Sequence, residues 1–185
     1  MRKSVVLAVV FVITLTSLAF AGTLAGVNLP DTVQVGSRTL VLNGLGLRKK
    51  YMVKVYVAGL YLEQKSSDPT AILTPDIPKR IVMHFVRGVS KNQIVDGFNE
   101  SFENNTPDAQ KTMKADIDQF LGAMESVNDG DEITLTYLPG TGTTVAMHGK
   151  DKLTISGPAF AQVLFSVWLG PKPPNQEMKE GLLGR

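Results

Sequence analysis

Between Tyr51 and Leu62 the chain reads Tyr-Met-Val-Lys-Val-Tyr-Val-Ala-Gly-Leu-Tyr-Leu, and both parities of that run are apolar. Successive side chains of a strand point to opposite faces. Val53, Val55, Val57 and Tyr61 therefore share one face, and Met52, Tyr56, Ala58, Leu60 and Leu62 share the other. A strand apolar on both sides has to be covered on both sides, so it belongs near the middle of its sheet with other layers above and below.

The flanking sequence supplies those layers. Val33, Val35, Leu40 and Leu42 alternate with polar residues around Gly36-Ser37, which reads as a hairpin, and Asn43-Gly44-Leu45-Gly46 reads as a second tight turn. Asp68-Pro69 opens a short helix through Leu73 that Thr74-Pro75 ends, and Lys79 to Val86 resumes a strand. Ser90-Lys91-Asn92-Gln93 is a capping box. Ile94, Phe98 and Phe102 follow at four-residue spacing, giving an amphipathic helix over 91–103. A second long helix is expected from Thr106-Pro107 to about Val127, with Met113, Ile117, Phe120, Leu121 and Met124 on one face.

After Asn128-Asp129-Gly130 the period returns to two. Ile133, Leu135 and Tyr137, then Val145 and Met147, then Leu153 and Ile155 form a three-strand meander with turns at Pro139–Gly142 and His148–Asp151. Gly157-Pro158 starts a helix through Leu169 whose apolar face holds Phe160, Val163, Leu164, Val167 and Trp168, with Ser166 at its edge. Pro171, Pro173 and Pro174 stop it, and Asn175 caps a last short helix ending at Gly184. The order of elements makes residues 22–185 one α+β domain built on an antiparallel sheet.

Residues 1–21 are of another kind. Arg2 and Lys3 precede an apolar or small stretch from Val5 to Phe20, and the segment ends Ala19-Phe20-Ala21, the pattern of a signal peptide cleaved after Ala21. With that leader removed, 17 basic residues face 17 acidic ones. A chain of zero net charge carries no electrostatic footprint for nucleic acid and no steering field for anionic membranes, and no stable membrane anchor remains after cleavage. The compartment expected is the periplasm. The absence of cysteine excludes disulfides, thiol nucleophiles and lipidation of a leader-terminal cysteine. His84 and His148 are too few and too scattered for a zinc site, and the sequence carries no nucleophile elbow, phosphate loop or metal motif, so neither a metal nor a cofactor is expected.

One block stands out. Leu42-Asn43-Gly44-Leu45-Gly46-Leu47-Arg48-Lys49-Lys50 runs into a strand that closes Gly59-Leu60-Tyr61-Leu62-Glu63. It resembles the N-terminal signature of the chalcone isomerase family. The resemblance continues through Phe85-Val86-Arg87-Gly88 to the helix around Ser166 and covers nearly all of residues 22–185. It implies an open-faced β-sandwich, a large antiparallel sheet with a layer of helices over one face and a ligand cleft between them.

In the plant enzyme of that family, which closes a chalcone to a flavanone, the turn Arg, a strand Thr, a Tyr early in the helical region and a late-helix Thr or Ser serve the site. Arg48 matches the first and Ser166 the last. The strand Thr falls on Tyr56 and the Tyr at or near Ile94, which has no proton to give. Family members that bind fatty acids are more similar here, because they pair the turn Arg with a strand Tyr.

The chemistry of that pair stands by itself: Arg offers a planar fork of donors matched to a carboxylate, and a Tyr hydroxyl adds a neutral donor on an apolar body. The expected ligand residues are thus Arg48, Tyr56 and Ser166, and the expected ligand is a fatty acid or similar apolar carboxylate. Two other readings stay open. One is a chalcone isomerase-type intramolecular lyase, for which Arg48 is the candidate catalytic residue. The other is an interaction module whose cleft is filled by its own side chains, with Arg48 in a solvated basic triplet and Tyr56 in the core.

Overall fold

The structure, a computed structural model, describes residues 22–185; the expected leader and its cleavage after Ala21 lie outside the described residues. Strands β1 (Gly22–Leu24) and β2 (Val27–Leu29) form a two-stranded ribbon that the sequence reading passes over. It turns on Ala25 and Gly26, both at positive φ.

The main sheet has seven strands in chain order, all antiparallel: β3 (Thr32–Val35), β4 (Arg38–Lys50), β5 (Val53–Leu62), β6 (Lys79–Phe85), β7 (Glu132–Leu138), β8 (Gly142–Met147) and β9 (Lys150–Ile155). From Tyr56 to Leu62 strand β5 is covered on both faces as its composition requires, whereas Val53 and Lys54 at its start are exposed and the expected first residues Tyr51 and Met52 lie in the turn before it. Tyr56, Ala58, Leu60 and Leu62 enter the main core under the helices, whereas Val57 and Tyr61 join Val27, Leu29, Leu40 and Leu42 beneath the β1–β2 ribbon. The buried Tyr61 hydroxyl donates to the Pro30 carbonyl at 2.9 Å.

The helices are α1 (Pro69–Leu73), α2 (Lys91–Asn105), α3 (Ala109–Thr112), α4 (Lys114–Gly122), α5 (Pro158–Leu169) and α6 (Gln176–Leu182). Asp68 caps α1 with its carboxylate on the Thr70 N–H, and Ser90 and Gln93 close the capping box of α2. Helix α5 is buried on nearly all sides. From Phe160 to Leu169 only Gln162 is exposed, as expected of a helix apolar all round. Lys79, almost fully buried, turns its ammonium to the Ile72 and Pro75 carbonyls at 2.8 and 3.2 Å and so closes the C-terminal end of α1.

Three expectations are corrected. Asn43–Gly46 is no turn: β4 runs straight through it with a bulge between Leu42 and Gly44, and the reversal falls at Tyr51-Met52. The glycines are there because α6 lies on the strand. A Cβ at Gly44 would stand 2.1 Å from the Gly181 carbonyl oxygen, and one at Gly46 would stand 2.4 Å from that of Met178. The long helix expected from Thr106 breaks at Met113 (φ −124°, ψ 29°). It ends at Gly122 rather than Val127, because Val127 exchanges two 2.9 Å backbone hydrogen bonds with Val89. Asn175 stands at the N-cap of α6 but makes no side-chain cap there; its side-chain amide oxygen is used elsewhere, as described next.

Candidate functional site

A cleft of about 440 Å³ opens between the end of the sheet where β4, β5 and β6 meet and the helical layer. Tyr56, Met83 and Phe85 form its floor, and Ile94 and Phe98 of α2 face Val167 and Trp168 of α5 above. These walls are apolar because each side chain belongs to the inward stripe of its element.

Arg48 and Tyr56 are direct partners across the β4–β5 ladder, so the hairpin itself brings them side by side. Arg48 is half-buried at the rim. Its Nη1 donates to the Pro174 carbonyl at 3.1 Å, to the Asn175 Oδ1 at 3.0 Å and to the Lys49 carbonyl, while the Lys49 N–H donates to the same Asn175 Oδ1 at 3.0 Å. One nitrogen of the fork thus ties β4 to the segment between α5 and α6. Nε and Nη2 make no hydrogen bond among the described residues.

Tyr56 is 8% exposed, and its hydroxyl oxygen accepts the Trp168 Nε1–H at 3.0 Å. That bond fixes the hydroxyl at the cleft floor, and its own proton has no acceptor among the described residues. Burial pushes the phenol up to about 12, against the opposing pull of the Trp168 bond and the Arg48 charge. At neutral pH it is therefore a neutral donor and not a phenolate.

Of the three residues singled out in the sequence, the fold brings Arg48 and Tyr56 together and leaves Ser166 apart. Ser166 is buried in α5 with its hydroxyl on the Val163 carbonyl at 2.6 Å, and it does not line the cleft. Val167 and Trp168 are the residues of α5 that reach the cleft, and the Ser166 hydroxyl turns back into its own helix. Trp168 was read as core alone; the signal for its second role is that a buried indole N–H needs a partner. The mouth also gathers Lys50, Arg87 and Lys172 against the single acid Glu100, a local excess that the zero net charge of residues 22–185 conceals. No group of three or more His, Asp or Glu side chains among the described residues converges as a set of metal ligands.

Two comparisons bear on this architecture. The model of a protein family described as chalcone isomerase-like matches residues 21–184. Among solved structures, the chain is similar to a fatty-acid binding protein of Arabidopsis thaliana, with a TM-score of 0.63 and 18% identity over 85% of this chain and 92% of the other. No curated protein matches the sequence.

Proposed function

The chain belongs to the chalcone isomerase-like family, and from that premise we propose that it is a non-catalytic binder of a fatty acid or similar apolar carboxylate, exported to the periplasm. The observation that carries this reading is the pair that links the rim of the cleft to its floor. Arg48 keeps two donor nitrogens uncommitted, and Tyr56, its ladder partner, has a hydroxyl held by Trp168 with its proton unaccepted. A carboxylate head takes a charged donor on one oxygen and a neutral donor on the other, and the apolar walls take the chain behind it. The cleft volume lies within the ~300–1,000 Å³ of ordinary small-molecule sites. The Arabidopsis neighbour, a fatty-acid binding protein on the same fold, supports the same reading. Export rests on the leader pattern of residues 1–21.

Organic extraction of protein purified from its native host, followed by mass spectrometry, tests the proposal. A fatty acid in stoichiometric amount is expected. An empty cleft that also takes up no fatty acid by calorimetry overturns it. A fall in chalcone absorbance on mixing, abolished by Arg48→Ala, would establish an intramolecular lyase instead.

A further inference from the structure

At the reversal between β4 and β5 the chain reads Arg48-Lys49-Lys50-Tyr51-Met52-Val53-Lys54, four cations with no acid among seven residues. Tyr51 is 91% exposed and Met52 94%, and Val53 is exposed beside them. These are the exposed large apolar side chains among the described residues. Tyr51 also sits at φ 57°, a left-handed conformation that side chains other than Gly and Asn rarely take. A two-residue hairpin turn is ordinarily Asn-Gly or Asp-Gly. Here the turn instead holds an aromatic ring and a thioether out into water, at a cost in both backbone and hydration.

The neighbourhood adds charge of one sign. Lys50, Tyr51 and Val53 lie on the rim of the cleft with Arg87 and Lys172, both exposed. The opposing acids are Glu100 on the rim and Glu177, which stands 3.5 Å from Lys49. The combination of an apolar tip, an amphipathic tyrosine and surrounding lysines is the chemistry of the interface of an anionic bilayer. There the tip enters among the headgroups, the tyrosine straddles the boundary and the ammonium groups meet lipid phosphate. No helix among the described residues is long and apolar enough to cross a membrane.

We infer that the β4–β5 hairpin tip docks on the surface of an anionic lipid bilayer, with Tyr51 and Met52 inserted and Lys49, Lys50 and Lys54 on the headgroups, which sets the mouth of the cleft against the lipid. The docking is peripheral and reversible, and salt weakens it because exposed charges are screened over about 10 Å. It turns the cleft toward a reservoir of acyl chains, whatever acid the cleft holds.

The probe is a vesicle of mixed phosphatidylglycerol and phosphatidylcholine set against phosphatidylcholine alone, with parent and variants prepared in the same form so that residues 1–21 act equally in all. Lys54→Glu changes two charge units and lowers partitioning onto anionic vesicles about twenty-five-fold, at roughly fivefold for each charge. Met52→Asp lowers it by at least as much, and the Met52→Trp emission shifts to the blue when anionic vesicles are added. Met52 and Lys54 do not line the cleft, so fatty-acid affinity without vesicles stays at the parent level, and failure of docking is distinguished from failure of the carboxylate reading. Partitioning that is the same for parent and variants, or the same for both lipid mixtures, overturns the inference. So does a Met52→Trp emission that stays unmoved while the protein pellets with vesicles, or one that shifts with protein concentration alone, which would place a second copy on the tip.

Discussion

On the proposed reading Arg48 and Tyr56 divide the work of holding a carboxylate unequally, and the inequality can be measured. Arg48→Lys replaces a planar fork with a point charge on a flexible stem, and the loss of a charged hydrogen bond is worth about 1.5–3 kcal/mol, a ten- to hundredfold weaker affinity by calorimetry. Tyr56→Phe keeps the ring beside Phe85 and removes one neutral donor, for about 0.5–1.5 kcal/mol of binding. It also strands the buried Trp168 N–H, so the variant should lose about 1–3 kcal/mol of folding stability as well. Lys79 supplies a second test at this scale. Burial pulls its ammonium down to about 8 from the ordinary 10.5, against the pull of Asp76. Between those values the unfolded chain holds a proton that the fold does not, so stability rises with pH there. Tyr56 and Tyr61 act in the opposite sense: burial pushes both up to about 12, so their contribution is whole below the ordinary 10 and is lost as pH climbs through 12. Urea unfolding followed across pH should therefore show a maximum near pH ~10, and Lys79→Met should flatten the rising limb while the falling limb persists.

The glycines of β4 show what a sequence conveys about an element and what it withholds. Gly44 and Gly46 look like turn residues because local chemistry offers glycine that use first. Their true reason is a helix that returns from the far end of the chain, and nothing within a few residues of Gly44 encodes it. The β1–β2 ribbon escaped notice because its strands are three residues each, too short for a period to show. By contrast the capping box of α2, the meander of β7 to β9 and the two-faced strand β5 were legible, since each is written in its own segment. Arg48 and Tyr56 were singled out through the family resemblance, and the β4–β5 ladder sets them side by side; Ser166 stays out of the cleft because its hydroxyl turns to the Val163 carbonyl of its own helix. One substitution made at two glycines should then act with opposite sign. Gly44→Ala drives a methyl into the Gly181 and Leu182 carbonyls and should cost about 1–3 kcal/mol in urea unfolding. Gly97→Ala, in α2 with open space around its Cβ, should gain about 0.5–1 kcal/mol.

For the molecule as a whole, the proposed leader predicts a mature chain that begins at Gly22 by N-terminal sequencing or intact mass, and a species retaining residues 1–21 in the membrane fraction would refute it. Saturating fatty acid should raise the melting temperature: a ligand at a hundredfold its Kd adds about 2.7 kcal/mol, or roughly 5–10 °C for a domain of this size. The main sheet is a meander in which every strand pairs with its neighbour in sequence, and its widest pairing, β6 with β7, joins Lys79 to Tyr137 across the helical segment between them. The longest reach belongs to α6, whose Leu182 carbonyl accepts from Asn43 across 139 residues. That returning segment also carries Pro174 and Asn175, the partners of Arg48. The seam between the first long strand and the last helix is thus the part of the chain with the greatest loop to close, and it should form last. A molecule caught before that closure has its sheet, its Trp168 and its Tyr56, but its Arg48 hangs untied. On the proposed reading the competence to grip an acid then arrives with the final step of folding, and a chain that emerges N-terminus first has no set Arg48 until its tail has followed.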